Sequence, residues 1–230
     1  MHAWPCNPHY QERTRLGEAP WTDLTRCRGC GSLWEAMDRG WRRVTVAQAR
    51  ATFAVEVAPF ERPDLGGPQS ILGVYLSLND EQLHRIIVVT DAGHWQVGER
   101  GALMWIFWKD LDRLELSTAE HAIELAREHW GEPAAAALRL GLETGFDPRQ
   151  FGALDLAHAF DREVWDRAWQ PRTVAIVEAM FAAGTDPQTR VDAALGFARR
   201  AGYVGEEDIR AAGFAIPPNG DPLPHAALDD

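Results

Sequence analysis

This chain of 230 residues has little of what marks a membrane protein, a secreted protein or a motif-bearing enzyme. No apolar run reaches the roughly 18 to 20 residues of a membrane span, and residues 1–6 lack the basic-then-apolar plan of a secretory signal. A cytoplasmic location with no membrane partner is therefore expected. Only three cysteines occur, all before residue 31, and a reducing compartment excludes a disulfide framework as their purpose. Lysine is nearly absent. Lys109 stands alone beside 22 arginines, which with the abundant alanine points to a GC-rich bacterial genome rather than to a need for guanidinium chemistry. No glycine-rich phosphate loop, His-Glu-x-x-His or Gly-x-Ser-x-Gly is present, so the enzyme classes those motifs mark are not expected.

What is present is an ordinary globular composition. With 46% hydrophobic and 25% charged residues, the chain has the material for one large domain or two to three small ones. Its charge is uneven. Residues 1–50 carry eight arginines against five acids, a balance of +3, whereas residues 51–116 carry −5 and residues 117–230 carry −9. An acidic body repels phosphate backbones and steers a basic protein partner toward its last two thirds, which leaves residues 1–53 as the segment suited to nucleic acid.

Cys6-Asn-Pro-His9 and Cys27-Arg-Gly-Cys30 are two ligand pairs, each with two intervening residues, and 17 residues lie between His9 and Cys27. This is zinc-ribbon spacing. A tight turn brings ligands three apart onto the same side, so each pair spans one edge of a tetrahedron, with Gly29 and Gly31 freeing the backbone of the second turn. Cys6, His9, Cys27 and Cys30 together fill the four positions of a Zn2+ ion and leave none for water or substrate, so the expected metal is structural. A segment this small buries too little core to fold alone, which also favours a folding role for the metal. Other readings compete. Cys27 and Cys30 alone have the spacing of a thioredoxin-like redox pair, although that chemistry wants a buried strand before it within a βαβ unit, and residues 22–26 are short and polar. His9 is otherwise an incidental surface histidine, with His2 or nothing in its place, and a site that has lost its metal is the remaining option.

Residues 33–35 and 41–44 read as strands joined around Asp38-Arg39-Gly40, a ribbon hairpin. Ser32-x-x-Glu35 also matches a capping box, but Gly40 would interrupt the helix it starts. Thr45-x-x-Gln48 is a second box, followed by Ala47, Ala49, Ala51 and Phe53, and predicts a brief helix. Trp4, Trp21, Trp34 and Trp41 crowd this segment, and packing over the metal centre is favoured for them over a binding face. The run Cys27-x-x-Cys30-Gly31-x-Leu33-Trp34-Glu35 resembles the small zinc-ribbon modules of bacterial proteins, some of them encoded as immunity partners of toxins.

Residues 71–78, 83–90, 94–97, 103–108 and 111–116 are short apolar or alternating runs separated by turn-forming stretches, and predict antiparallel strands. Residues 53–57 would add a strand at the front, and the Pro- and Gly-rich residues 61–68 a loop. The run Val88-Val89-Thr90-Asp91-Ala92-Gly93-His94-Trp95, then Trp105-Ile106-Phe107-Trp108-Lys109-Asp110-Leu111-Asp112-Arg113-Leu114-Glu115-Leu116, resembles bacterial pleckstrin-homology-like and GRAM-like domains. That resemblance implies a binding or scaffolding barrel closed by a C-terminal helix, which Ser117-x-x-Glu120 is placed to begin at Thr118. Lipid-headgroup binding does not carry over to so acidic a segment. Trp95, Trp105, Phe107 and Trp108 are expected in the core and on the sheet faces.

From Thr118 onward helix signals dominate. Pro133, Pro148, Pro171 and Pro187 each mark the first turn of a helix, and Asp147 and Asp186 precede two of them as N-caps. The steps of 38 residues from Pro133 to Pro171 and 39 from Pro148 to Pro187 make Gly145-Phe-Asp-Pro148 and Gly184-Thr-Asp-Pro187 corresponding points of a duplicated helical hairpin. Two copies are too few for a solenoid, so a bundle is expected, with residues 118–129 and 206–212 as lids. Asp155, His158 and Asp161 share a helical face, as do His121 and Glu124. A carboxylate metal centre needs paired motifs from facing helices, and solvated acidic faces are the favoured reading.

The expected fold is α+β: a zinc ribbon with a short helix over residues 1–53, an antiparallel β domain with a closing helix over 54–130, a helical bundle of two duplicated hairpins over 131–216 and a flexible tail over 217–230. The expected function is noncatalytic, a protein-binding protein with structural zinc. An immunity protein that masks a basic toxin is its most specific form, because the −14 carried by residues 51–230 suits a cationic, nuclease-like target. The alternative is a regulator whose ribbon contacts nucleic acid.

Overall fold

The N-terminal sheet is built from four strands that follow one another in space as they do in sequence. In the computed structural model, which describes residues 13–38, 40–62, 66–79, 82–97, 103–106, 114–158 and 169–218, β1 (Arg13–Ala19), β2 (Thr22–Cys27), β3 (Leu33–Met37) and β4 (Gly40–Arg43) form an antiparallel meander. The β3–β4 hairpin is the one the turn residues predict. Glu35 stands opposite Arg42, whose Nε donates to Glu35 Oε2 at 2.9 Å, so the carboxylate that would have closed a capping box is used across the sheet instead. Strands β1 and β2 have no counterpart in the sequence reading. Residues 22–26, read as short and polar, form a strand in which Leu24 and Thr25 are buried. It belongs to a meander and not to a βαβ unit, and that topology, rather than polarity, separates it from a redox-type scaffold.

Helix α1 (Val46–Phe53) begins at a complete capping box: Gln48 N donates to Thr45 Oγ1 at 3.1 Å, and Thr45 N to Gln48 Oε1 at 2.8 Å. It ends at Ala54, whose left-handed φ of 52° turns the chain away. The expected strand over residues 53–57 therefore does not form. Val55 and Val57 instead pack, as irregular chain, on a small core of Leu24, Leu33, Val44, Val46, Ala49, Phe53 and Ala211.

The second sheet contains β5 (Ile71–Asn79), β6 (Gln82–Thr90), β7 (Gly93–Val97), β8 (Leu103–Ile106) and β9 (Glu115–Ser117) in the order β8-β7-β6-β5-β9. All pairings are antiparallel, and β8 and β9 are edges among the described residues. Val74, Leu76, Ile86, Val88, Trp95 and Val97 are buried in the main core, which also takes Ala122 and Ala126 of α2 (Ala119–Trp130). That helix is capped one residue later than expected. Ser117 is still strand, and Thr118 Oγ1 accepts from His121 N at 3.2 Å. Trp95 is a core residue as expected, its Nε1 donating to Gln69 Oε1 at 2.8 Å and its ring 5.6 Å from those of Phe146 and Phe151. The expectations for the side chains of Trp105, Phe107 and Trp108 lie outside the described residues.

The helical half comprises α3 (Glu132–Thr144), α4 (Pro148–His158), α5 (Trp169–Ala182), α6 (Pro187–Arg200) and α7 (Glu206–Ala211). All four marked prolines fall in first turns. Asp186 Oδ2 accepts from Thr189 N at 2.8 Å, and Asp147 Oδ1 from Arg149 N at 2.9 Å. Helix α4 packs on α6 and α3 on α5, so corresponding members of the two repeats lie against each other, while α5 and α6 form a hairpin. Helix α7 is more than a lid on the bundle. Its Ile209 enters the main core and its Ala211 the N-terminal core, while Asp208 Oδ1 accepts from Val46 N at 2.7 Å. Among the described residues the molecule is thus mixed α+β, with two antiparallel sheets and seven helices, none long and apolar enough to cross a membrane. The tail expected over 217–230 lies outside the described residues from 219 onward.

Candidate metal centre

Cys27 is the last residue of β2 and Cys30 closes the turn that leads to β3, so the sheet itself holds the pair three residues apart. Cys27 N donates to Ser32 O at 2.9 Å and Gly31 N to Cys27 O at 3.1 Å, which fixes the turn; Gly29 N then points at Cys27 Sγ, 3.4 Å away. Cys30 Sγ lies 3.0 Å from Ser32 Oγ. A backbone N–H directed at sulfur is a contact that a metal-bound cysteine also accepts. Both residues are buried, 0% and 1% exposed, and they are not joined to each other by a disulfide.

Gly31 is indispensable to this turn. Its φ is 75°, and a Cβ there would stand 2.6 Å from the Phe60 ring and 2.9 Å from the carbonyl oxygen of Ala211. The chain after α1 and the end of α7 therefore close over the knuckle at a distance that only glycine permits. Cys6 and His9, the other two expected ligands, lie outside the described residues. Among the described residues no group of three metal-ligating side chains occurs.

A polar shell absent from the sequence reading surrounds the pair. Arg43 Nη2 donates to Ser32 Oγ at 2.9 Å, so the guanidinium reaches Cys30 through one hydroxyl, and its Nη1 meets Asp155 Oδ2 at 2.9 Å. The side chains of this ion pair are only 9% and 11% exposed. Asp155, expected on a solvated acidic face, is instead buried and joins α4 to the knuckle. The correction has a simple cause: the partner cation comes from β4, 112 residues away, and nothing local to α4 announces it. Arg62 lies in the same field. Its Nε and Nη2 donate to Ala212 O at 3.2 and 3.0 Å, and its guanidinium stands 3.9 Å from the Phe214 ring centre. Loss of solvent pulls Arg62 down to about 10, countered by the nearby Cys30, Asp155 and Cys27.

The remaining candidates separate cleanly. His121 and Glu124 are exposed on α2, as a solvated face requires, and the side chain of His158 and all of Asp161 lie outside the described residues. Trp34 packs against the core that contains Cys27 and Cys30, and Trp41 lies 3.6 Å beneath the Arg13 guanidinium, whereas Trp21 is 93% exposed. Chemically, two buried sulfurs with a directed N–H and cationic neighbours can hold a borderline-soft cation, and they are poorly placed to attack anything in solution. Comparison with protein-family models, curated proteins and solved structures finds no match for this chain.

Proposed function

We propose that this chain is a noncatalytic, cytoplasmic protein-binding protein whose N-terminal module is a zinc ribbon, with Cys6, His9, Cys27 and Cys30 as the ligands of one structural Zn2+. The observation that carries the reading is the sealed knuckle of two buried cysteines three apart, in which Cys27 Sγ receives a backbone N–H, Cys30 reaches Arg43 through Ser32 Oγ, and Arg62 lies in the same field. This donor set fits zinc, which needs deprotonated sulfur, a fixed ligand spacing and a satisfied outer shell. When bound, the ion supplies a cross-link between the segment before β1 and the β2–β3 turn. The burial of both sulfurs speaks against a redox pair, because thiol exchange needs an accessible thiolate. A pleckstrin-homology-like reading of the middle segment draws support from an antiparallel sheet followed directly by α2.

The binding role is supported by charge. Residues 51–230 carry −14, and the acids Glu120, Glu124 and Glu128 of α2 face solvent. A basic protein partner follows, and an immunity protein that masks a cationic, nuclease-like toxin is the most specific version. The nucleic-acid regulator is the weaker reading, because Arg15, Arg42, Arg43 and Arg50 of the N-terminal segment are already paired with carboxylates. Two measurements on the full chain test the proposal: its zinc content beside that of Cys27→Ser, and the isoelectric point and salt sensitivity of the protein that co-purifies from the host. One zinc per chain, lost in the variant, and a basic partner released by salt are expected. A metal-free wild-type chain or an acidic partner would overturn it.

A further inference from the structure

We infer that the cleft at the hairpin tips around Trp21 is a further contact surface for the partner, beside the acidic residues 51–230, and that it receives an arginine-bearing segment of that partner. The inference rests on the protein-binding reading and adds to it a location and a chemistry. Among the described residues, three other than glycine have a left-handed backbone: Trp21 at φ 69°, Ala54 at 52° and Phe146 at 48°. Two serve the fold, since Ala54 caps α1 and Phe146 is wholly buried in the aromatic cluster with Trp95 and Phe151. Trp21 does neither. It follows Pro20 in the two-residue connection between β1 and β2, and proline followed by a left-handed residue is the order of a type II turn, whose third position is made for glycine or asparagine. A bulky residue there is strained, and its indole is 93% exposed, so no burial offsets the strain. Strain that contributes nothing to the fold marks a functional position.

The surroundings name the ligand. Trp21 lines an open cleft of about 670 Å3 together with Arg15, Glu18, Asp23, Asp38 and Met37, the last of which is 45% exposed on the adjacent hairpin. Among the described residues that line the cleft, three carboxylates stand against one guanidinium. Arg15 is already held by Glu18 and Asp23, whereas Asp38 makes no ion pair among the described residues. An indole face beside surplus carboxylate is the environment of a cation. Arginine fits it best, because its planar guanidinium stacks on the ring while its fork engages a carboxylate. Phosphate is repelled by the same three acids. Tryptophan and arginine are also the residues that dominate binding energy at protein interfaces.

The test titrates the full zinc-loaded chain with the peptide acetyl-Gly-Arg-Gly-Arg-Gly-amide and follows the tryptophan indole resonances, in wild type, Trp21→Gly and Asp38→Asn. The Trp21 indole is expected to shift. Trp21→Gly should weaken binding at least tenfold while raising the melting temperature by about 2 °C, because glycine relaxes the turn and no buried contact is lost. Asp38→Asn should weaken binding several-fold. A lower melting temperature for Trp21→Gly would make the indole structural and overturn the inference. Peptide that binds Trp21→Gly unchanged and shifts α2 instead overturns this location but leaves the basic-partner reading intact. Peptide that binds nowhere overturns both, and a 12-residue oligo-dT that shifts Trp21 replaces the arginine segment with nucleic acid.

Discussion

Asp155→Ala is the sharpest probe of how the knuckle is tied to the helical half. The substitution removes the carboxylate that offsets the burial of Arg43, in a pair 2.9 Å apart whose side chains are 9% and 11% exposed. Breaking a buried pair from one side costs about 3 to 5 kcal/mol, and the lower end applies because Arg43 keeps its bond to Ser32 Oγ. For a chain of this length each kcal/mol moves the melting temperature by about 2 to 4 °C, so a loss of about 6 to 12 °C is expected. Arg43→Met should cost a similar amount. The double variant Arg43→Met, Asp155→Leu should recover most of the loss, because an apolar pair removes both desolvation costs at once. Urea unfolding of wild type, Arg43→Met, Asp155→Leu and the double variant at neutral pH measures the coupling, which is about 5 kcal/mol if each single change costs about 3 and the double about 1. Asp155→Ala within about 0.5 kcal/mol of wild type is the behaviour of a solvated surface acid and would refute the reasoning.

Gly31→Ala places a methyl group 2.6 Å from the Phe60 ring on a left-handed backbone, and a loss of about 3 kcal/mol together with reduced zinc retention is expected, read by thermal melting and elemental analysis. Arg62→Met removes a cation that shares its field with Cys30 and Cys27, and chelator competition should show zinc affinity reduced about tenfold, with Arg62→Lys close to wild type. Asp186→Ala should lower the melting temperature at pH 7, because hydrogen bonds from Thr189 hold the Asp186 carboxyl below the usual carboxylate range. That contribution is present above the unfolded value near ~3.9 and is lost as pH falls through the lower folded value, so the two melting curves should converge in acid.

Local chemistry was legible where the sequence states both halves of an interaction. Thr45 and Gln48 are three apart and form the capping box they spell, and Pro148 and Pro187 begin helices behind Asp147 and Asp186. Alternating runs gave β5 to β7 because their inward residues are consistently apolar. The signal failed in β1 and β2, where one face is solvated and polar residues such as Thr22, Asp23 and Arg26 mask the period. At the candidate site the sequence offered the sulfurs through their spacing and nothing of their shell. Arg43 with Asp155, and Gly31 with Phe60 and Ala211, are contacts made by tertiary packing between distant segments. Trp21 was visible only as one indole among ten, since neither its left-handed backbone nor its exposure is encoded locally beyond the Pro20 that precedes it.

The ligand shell itself is measured most directly by zinc K-edge X-ray absorption on the full chain. One zinc surrounded by three sulfurs at about 2.3 Å and one nitrogen at about 2.0 Å, with no exchangeable oxygen, is expected of the closed site. An oxygen-containing shell, a two-sulfur shell or no bound zinc would contradict it.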